Sequence, residues 1–368
     1  MASPPDPLAH ARLIVDLDAL AANFHTLQAM AGGAEVAPVV KAQGYGMGAE
    51  TVALRLWAEG ARRFFVARVA AGEALRAALG PSRPAAIYVF DGCEDGAAPR
   101  LAAADLIPAL AGLDDVARWQ AQAKGGARLK AALHADTGLN RLGLSFADCE
   151  RLARSPTLIE NLELDLVMSH LACGAEPKHP LNARQLAAFR DVAALFPNTR
   201  TSLSASGGIL LGDDYSFDLV RPGVALYGGG PRDVPDARFK TVAAMQARIL
   251  AVRDLQPGES VGYGAGWMAE RPTTLAIIGA GYADALLRSN FPNGAVWFDG
   301  ALRPFAGRLS MDLAAIDVTG SGAKPGDWVE LFGHSLAVEV AAAAAGTLCY
   351  ELLTGLGART PREYRGAR

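Results

Sequence analysis

The chain of 368 residues is 51% hydrophobic, 20% charged and 7% aromatic, and its 35 basic and 38 acidic residues give a formal net charge of -3. This composition excludes a fibrous protein, a disordered chain and a small disulfide scaffold, and the length predicts two domains or one large barrel with an appendage. The basic residues are scattered, which argues against a nucleic-acid-binding face, so a small molecule is the expected partner.

The first residues, Met1 to Pro7, lack the basic region and the apolar stretch of a secretory signal, which predicts a cytoplasmic protein. The longest apolar run, Val340 to Leu348, is far shorter than the roughly 20 residues needed to cross a bilayer. We therefore expect no membrane span. The chain has four cysteines, Cys93, Cys149, Cys173 and Cys349. Their spacing is not that of a metal site, which predicts reduced, buried thiols and no bound metal.

From about Asp18 to Leu226, short apolar runs alternate with Ala/Leu/Arg-rich helical stretches, the pattern of a parallel sheet built from βαβ units. The predicted strands are Val36–Val40, Phe64–Val69, Ala86–Phe90, Ile107–Ala109, Leu129–Leu133, Leu162–Met168, Thr201–Leu203 and Leu219–Val220. About eight strands joined by short connections, none ending in a dinucleotide-binding glycine fingerprint, favour a closed (β/α)8 barrel. A doubly wound open sheet is the structural alternative.

After Gly230–Pro231 the pattern changes to strands separated by Gly, Pro and Asp turns. The predicted strands are Val242–Leu255 (as one or two strands), Thr273–Ile278, Val296–Phe298, Leu313–Val318 and Trp328–Leu331. A last helix is predicted from about Ser335 to Gly346, with a continuation through Leu353 as an alternative. The predicted fold class is thus α/β, with an N-terminal (β/α)8 barrel over residues 1–235 and a C-terminal mostly-β domain over residues 236–368.

Lys41 ends an apolar strand and precedes the glycine-rich turn Gly44–Gly48. In a barrel, this arrangement points the amine into the catalytic mouth, where partial desolvation gives the lowered pKa that a Schiff-base lysine needs. A solvated lysine at a strand end is the alternative. It is disfavoured because lysine is rare in this chain, with six lysines among 35 basic residues.

The segment Val39-Val40-Lys41-Ala42-x-Gly44-Tyr45-Gly46-x-Gly48 resembles the pyridoxal-phosphate signature of alanine racemases. Further matching motifs, in that family's order, are Asp136–Gly143, Met168–Ala172, Val220–Gly228, Val261–Gly264, Gly281–Asp284 and Met311–Asp312. The resemblance covers nearly the whole chain. It implies a (β/α)8 barrel followed by a β domain, a pyridoxal 5'-phosphate cofactor and a head-to-tail homodimer in which two chains share each active site.

Racemisation removes the α-proton from one face of an amino acid and returns it to the other, so two acid–base groups must flank the cofactor. By resemblance, Lys41 binds pyridoxal phosphate covalently and serves the face of the D-isomer, and Tyr263 serves the opposite face. A phenol is a poor base at neutral pH, and His170 matches the histidine that assists it in the family. Without the other motifs, Tyr263 would be interpreted as a turn residue between glycines.

The resemblance also assigns the binding residues. Arg221 matches an arginine placed against the pyridine nitrogen, which keeps that nitrogen unprotonated and favours proton return over transamination. The positions matching the family's cofactor-binding residues are Lys41, Tyr45, His170, Ser206, Arg221, Gly223 and Val224. The positions assigned to the substrate are Arg141, which would pair its carboxylate, and Met311 and Tyr282, with Met311 supplied by the second chain.

Two positions depart from the family pattern. His134 stands where many members carry a carbamate-forming lysine that positions the arginine matching Arg141, and Ala358 stands where many place a phosphate-contacting tyrosine. The predicted function is interconversion of L-alanine and D-alanine, for peptidoglycan or for alanine catabolism. These departures motivate the alternative of a broad-specificity racemase for serine or basic amino acids.

Two lower-ranked alternatives share parts of this architecture. A pyridoxal-phosphate-dependent decarboxylase usually carries a cysteine on a loop of its β domain that serves the partner chain. This alternative is disfavoured, because Tyr263 is present here and Cys349 is the one cysteine after residue 173. A non-catalytic pyridoxal-phosphate carrier resembles the barrel alone, and the second domain argues against it.

Overall fold

The computed structural model describes residues 8–123 and 128–367, which form two compact units. The barrel unit consists of residues 23–44 and 49–226, and the β unit of residues 8–22, 45–48 and 227–367. Strand β1 (Ala11–Asp16) opens the described chain and belongs to the β unit. The segment Met1 to Pro7, on which the signal-peptide prediction rests, lies outside the described residues.

The described part of the barrel unit contains parallel strands in the order expected of a (β/α)8 barrel. They are β2 (Glu35–Val36), β3 (Arg63–Val66), β4 (Ala86–Val89), β5 (Ile107–Leu110), β6 (Leu129–His134), β7 (Leu162–Met168), β8 (Arg200–Ser202) and β9 (Leu219–Val220). Strands β3 to β8 pair in chain order, and β2 pairs with β9. The Val40 N–H donates to Phe65 O at 2.8 Å and the Asp218 N–H to Thr201 O at 3.2 Å, which joins these two sheets on both sides. The predicted fold class is confirmed.

Helices alternate with most of these strands, and the first of them precedes β2. They are Leu17–Met30, Ala49–Ala58, Val69–Leu79, Ala98–Ala103, Leu113–Gln122, Phe146–Arg154, Pro180–Ala194 and Ser206–Ile209. The prediction of a strand through Val69 was wrong, because β3 ends at Val66 and a helix begins at Val69. The apolar run continues across that boundary, and hydrophobicity alone does not separate the end of a buried strand from the start of a buried helix.

Aromatic stacking fills the interior of the barrel unit. The Phe65 ring stacks on Tyr88 with centroids 4.5 Å apart and on Phe90 at 5.1 Å. Aliphatic side chains on the neighbouring strands, such as Ile87 and Leu133, are fully buried. Such offset stacking adds to the free energy gained by burying apolar area, and it gives the residues at the strand ends a fixed support.

The β unit is built around one long strand. Its strands after β1 are β10 (Ala243–Leu255), β11 (Ser260–Val261), β12 (Trp267–Met268), β13 (Thr273–Ile278), β14 (Ala295–Phe298), β15 (Ala301–Pro304), β16 (Ala314–Asp317), β17 (Trp328–Phe332) and β18 (Arg362–Arg365). Strand β10 pairs with β1, β13 and β17, and its register shifts between Ile249 and Ala251. Strand β1 also pairs in parallel with β18. The alternative of one strand over Val242–Leu255 is therefore the observed one.

The last predicted helix is two helices in the structure, Val338–Ala344 and Cys349–Thr354. Gly346 lies between them with a φ of +72°, a left-handed conformation that glycine adopts without steric cost. The glycine therefore ends the first helix, and a continuous helix through Leu353 is excluded.

Candidate active site

Lys41 is followed by an unusual left-handed turn. Ala42, Gln43 and Gly44 have φ values of 52°, 57° and 62°. For residues other than glycine this conformation costs about 1–2 kcal/mol each. At Gly44 a side chain would be strained, because the φ is positive and a Cβ atom would lie 3.1 Å from the Cα of Ala49. Strain of this kind persists where the surrounding structure enforces it, as at sites that hold a reactive group in one place.

The turn places Lys41 at a cavity of about 280 Å³ in the barrel unit. The cavity lies at the carboxyl ends of the parallel strands, where barrels place their active sites. Its lining residues are Lys41, Ala67, Phe90, Asp91, His134, Arg141, Leu142, Met168, His170 and Arg221. Four residues selected from the sequence, Lys41, Arg141, His170 and Arg221, thus meet at one cavity, although they lie far apart in the chain.

Burial and charge change the chemistry of the Lys41 amine. Desolvation lowers the pKa of Lys41, and the positive charge of Arg141 lowers it further. The Nζ atom lies 5.8 Å from the centroid of the Phe90 ring. A lowered pKa raises the fraction of neutral amine, which is the form that attacks a carbonyl or accepts a proton.

Arg221 is held in place from several directions. Its Nη2 donates to Ser169 O at 2.5 Å and its Nη1 to Ser202 Oγ, while the backbone N–H donates to Ser204 O at 2.8 Å. Burial lowers the pKa of Arg221 to about 9, which still leaves the guanidinium protonated at neutral pH. Among the described residues, Nε has no acceptor. A fixed cation whose Nε donor is unpaired therefore lines the cavity.

The two histidines of the cavity are neutral at pH 7. Burial, followed by the charges of Arg221 and Arg141, lowers the pKa of His134 to about 4 and that of His170 to about 3. The Nδ1 atom of His134 is buried and has no hydrogen-bond partner in the described part of the chain. A neutral imidazole can accept a hydrogen bond at one ring nitrogen and donate one from the other without adding to the positive charge already present.

Arg141 lies at the exposed rim of the cavity, on a loop ordered by one aspartate. The Asp136 Oδ1 atom accepts hydrogen bonds from the backbone N–H groups of Gly138, Leu139 and Asn140 at 2.9, 3.0 and 3.1 Å. Short polar side chains commonly stabilise loops in this way. The guanidinium of Arg141 has no hydrogen-bond partner within the described residues, so it is available to an anionic ligand.

A second group of predicted residues lies after β8 and β9. The Ser206 Oγ atom accepts the N–H of Gly223 at 3.0 Å and the N–H of Ala225 at 3.3 Å. A serine hydroxyl that accepts two hydrogen bonds still has its own hydrogen to donate. At Gly207 a Cβ atom would lie 2.8 Å from the backbone carbon of Gly174, so the two loops approach closely. Ser206, Gly223 and Val224 thus belong to one loop cluster.

The four other predicted residues belong to the β unit. Tyr45 is buried and stacks on Tyr227 with ring centroids 4.6 Å apart. Backbone hydrogen bonds link the segments that carry Tyr282 and Met311, since the Ala283 N–H donates to Met311 O at 3.0 Å. The side chains of Tyr263, Met311 and Tyr282 are 71%, 54% and 44% exposed. Three apolar side chains, Tyr263, Tyr282 and Met311, are therefore directed to the surface of this unit.

Several residues that line the cavity were not predicted from the sequence. Phe90 and Asp91 follow strand β4 directly, and Met168 ends β7. The available signal was position, since residues at the carboxyl end of a barrel strand face the active site. Among the described residues, no group of three or more His, Cys, Asp or Glu side chains is placed to hold a metal ion. Within residues 8–123 and 128–367, none of the helices has the length and apolar character needed to cross a membrane.

Comparison with known proteins gives a consistent result. Residues 15–231 match the family model "Alanine racemase, N-terminal domain", and residues 242–364 match "Alanine racemase, C-terminal domain". A catabolic alanine racemase of Agrobacterium fabrum is 43% identical over 97% of this chain and 92% of that protein, and the biosynthetic alanine racemase of the same organism is 42% identical over 96% and 93%. The crystal structure of a Bartonella henselae alanine racemase with covalently bound pyridoxal phosphate superposes with a TM-score of 0.92 at 38% identity, covering 97% of this chain and 100% of that chain.

Proposed function

Because this chain belongs to the alanine racemase family, we propose that it interconverts L-alanine and D-alanine with Lys41 and Tyr263 as its two acid–base residues. The chain is a pyridoxal-phosphate-dependent racemase. The observation that carries the assignment of Lys41 is the cavity that it lines together with Arg141, His170 and Arg221.

The residues of the barrel unit fit pyridoxal phosphate. The free Nε donor of the buried Arg221 suits a pyridine nitrogen, and the Ser206 hydroxyl with the N–H groups near Gly223 and Val224 suits a phosphate. Lys41 would bind the cofactor covalently. When bound, the cofactor supplies a conjugated system that accepts electrons and makes the α-proton of an amino acid removable.

The charge distribution around the cavity favours return of the α-proton to the substrate over transamination. The cation of Arg221 disfavours protonation of a basic nitrogen placed against it, and His134 and His170 add no positive charge at neutral pH. Lys41, with its lowered pKa, moves a proton on one face of the substrate. We propose that Tyr263 moves a proton on the opposite face and that the Arg141 guanidinium holds the substrate carboxylate.

We propose that the active enzyme is a homodimer in which Tyr263, Tyr282 and Met311 of one chain complete the site of the other. The exposed fractions of these side chains, 71%, 44% and 54%, support the proposal, because large apolar side chains that are exposed together are typical of interaction sites. We propose that residues 1–235 form the pyridoxal-phosphate-binding barrel domain and residues 236–368 the C-terminal β domain. This boundary lies between the two stretches that match the family models.

We expect the enzyme to act in the cytoplasm.

A racemase works in both directions, so one site can supply D-alanine to peptidoglycan or start the breakdown of alanine. Relatives with both roles, at 43% and 42% identity, match this chain about equally. The decarboxylase alternative has no support from Cys349, because that cysteine is buried.

The experiment combines a visible spectrum with circular dichroism during turnover of L-alanine. The wild-type protein should absorb in the visible range once loaded with pyridoxal phosphate, and the optical activity of L-alanine should decay to zero. Replacing Lys41 with Ala should abolish the covalent absorbance and lower turnover by about 100- to 10,000-fold. Lys178→Ala, at an exposed lysine, is the matched control. Retained turnover in Lys41→Ala would exclude the assignment.

A further inference from the structure

A second cavity in the barrel unit, of about 320 Å³, lies at the opposite ends of the strands from Lys41. Its wall includes Arg63 and Ala86, the first residues of β3 and β4, and Ile107, the first residue of β5. Lys130, the second residue of β6, completes this wall. None of the residues assigned to racemisation lines it. We call it the basal cavity.

The basal cavity has a strong excess of positive charge. The charged side chains along it are Arg62, Arg63, Arg76, Lys130 and a single acid, Asp105. Arg63 forms ion pairs with two carboxylates outside the wall. Its Nη1 atom lies 3.1 Å from Glu35 Oε2, and its Nη2 atom lies 4.0 Å from Asp165 Oδ1. Arg76 lies 3.2 Å from Asp105, whose side chain is 90% exposed.

Two cations remain without a carboxylate partner in the described part of the chain, Arg62 and Lys130. Lys130 also has no hydrogen-bond acceptor among those residues, so its three ammonium hydrogens face solvent or a ligand. The cavity thus carries an excess of two positive charges beyond the charges that its own ion pairs neutralise.

Arg62 is held in place by neutral groups. Its guanidinium lies 4.2 Å over the Trp57 ring, and its Nη1 atom donates to the carbonyls of Trp57 at 2.8 Å and Ala61 at 2.9 Å. These contacts restrict the side chain without cancelling its charge. Because the Nε and Nη2 donors have no acceptor in the described residues, a bound anion would meet donors that have already lost much of their freedom.

Arg76 is fixed in the same manner on the other side of the wall. It donates to the backbone carbonyls of Ala85 at 2.9 Å, Ala104 at 3.1 Å and Asp105 at 2.6 Å. Its charge is only weakly screened by the exposed carboxylate of Asp105, since exposed pairs interact weakly in water. The guanidinium therefore adds to the positive potential of a preformed cavity.

We propose that the basal cavity binds a small dianion, a phosphate ester or a dicarboxylate, through charge-assisted hydrogen bonds from Arg62 and Lys130. A doubly charged anion matches the two cations that lack partners, and a phosphate group carries about 1.5 to 2 negative charges at pH 7. The planar donors of Arg62 suit a pair of oxygen atoms, and the ammonium group of Lys130 adapts to a third. The proposal is independent of the residues assigned to racemisation.

The test is isothermal titration of the holoenzyme, saturated with pyridoxal phosphate, with inorganic phosphate and with succinate at low ionic strength. We expect one equivalent of at least one dianion to bind, and added sodium chloride to weaken binding. Phosphate binding alone would identify a phosphoryl ligand, and succinate binding alone a dicarboxylate. The variant Arg62→Gln/Lys130→Gln should bind at least about tenfold more weakly.

A matched variant separates the cavity from net charge. Arg154→Gln/Arg190→Gln removes the same two charges from exposed helical arginines and should bind like the wild type. Lys130→Arg keeps a cation and should retain binding, and all variants should retain racemase kcat and the wild-type circular dichroism. The proposal is overturned if neither dianion binds, if the two charge-reduced variants bind equally, or if chloride competes as well as a dianion at equal ionic strength. If the double variant misfolds, Lys130→Gln alone provides the same test.

Discussion

The guanidinium of Arg359 donates two hydrogen bonds to the carboxylate of Asp284, from Nε at 2.7 Å and from Nη2 at 2.6 Å. Its remaining nitrogen, Nη1, donates to Asp312 at 2.6 Å. Arg359 thus ties together the segments that carry Tyr282 and Met311, both assigned to the substrate. The paired geometry fixes direction as well as distance, which single-point ion pairs do not.

Replacing Asp284 with Asn should therefore weaken both stability and substrate binding. The Asp284 side chain is 6% exposed and that of Arg359 is 47% exposed, so we expect the free energy of unfolding to fall by about 1–2 kcal/mol. KM for alanine should rise more than kcat falls, because Tyr282 and Met311 are proposed to contact the substrate. Urea unfolding and steady-state kinetics measure the two effects.

A second ion pair in the same unit, between Arg271 and Asp317, provides the control for this variant. Arg271 donates to Asp317 at 2.7 Å, and the Arg271 side chain is 58% exposed. Asp317→Asn should leave KM unchanged. If Asp284→Asn loses stability with an unchanged KM, the ion pair is structural and does not position the substrate-binding segments.

The sequence predicted the residues at strand ends better than it predicted long-range pairing. Lys41 and Arg221 each follow a short apolar run, a local signal that places them on one edge of a parallel sheet. Strand β1 pairs with β18 across nearly the whole chain, and no local pattern encodes that contact. The left-handed turn at Ala42 and Gln43 was not predicted either, because neither residue type favours that conformation.

Stability should fall in mild acid because of the buried histidines. The pKa of His134 is lowered to about 4 in the folded protein, whereas an unfolded histidine has a value of about 6.5. Between these values the unfolded state binds more protons, so the stabilisation is present above about pH 6.5 and is lost as the pH falls through about 4. From pH 7 to pH 5 we expect His134 to account for a loss of about 2 kcal/mol.

The measurement is urea unfolding of the wild type and of His134→Gln at both pH values. The variant should lose less stability on acidification than the wild type by that amount. His334→Gln, at an exposed histidine outside the cavity, is the control for the His-to-Gln replacement itself. Equal pH dependence of wild type and His134→Gln would show that His134 does not titrate across this range.

The hydroxyl of Tyr88 provides a stability test that is separate from catalysis. It donates to Asp165 and accepts from Arg63 Nε at 3.2 Å, and burial with the charge of Asp165 raises the pKa of Tyr88. Tyr88→Phe keeps the stack on Phe65 but removes this link, so the free energy of unfolding should fall by about 1–2 kcal/mol. Thermal and urea unfolding measure the loss.

We expect kcat of Tyr88→Phe to equal that of the wild type, because Arg63 begins β3 and the hydrogen-bonded group lies away from Lys41. Tyr215→Phe is the matched control, since the Tyr215 hydroxyl has no hydrogen bond within the described residues. A stability loss of the same size in both variants would mean that the link to Asp165 contributes nothing.

Mixing two inactive variants tests whether the active sites are shared. Lys41→Ala should lose the residue that binds the cofactor, and Tyr263→Phe should lose the proposed acid–base phenol. If each site takes Lys41 from one chain and Tyr263 from the other, a mixed dimer contains one site with both lesions and one intact site. Unfolding and refolding an equal mixture should therefore restore about one quarter of wild-type activity, since half of the dimers are mixed and each has one active site of two.

Two controls make that outcome decisive. Each variant refolded alone should stay inactive, and Lys178→Ala mixed with wild type should keep full activity because its substitution lies at an exposed lysine outside the cavity. Light scattering reports whether mixed dimers form. If dimers form and no activity returns, Lys41 and Tyr263 of each site come from the same chain. The exposed Tyr263 would then serve the chain to which it belongs.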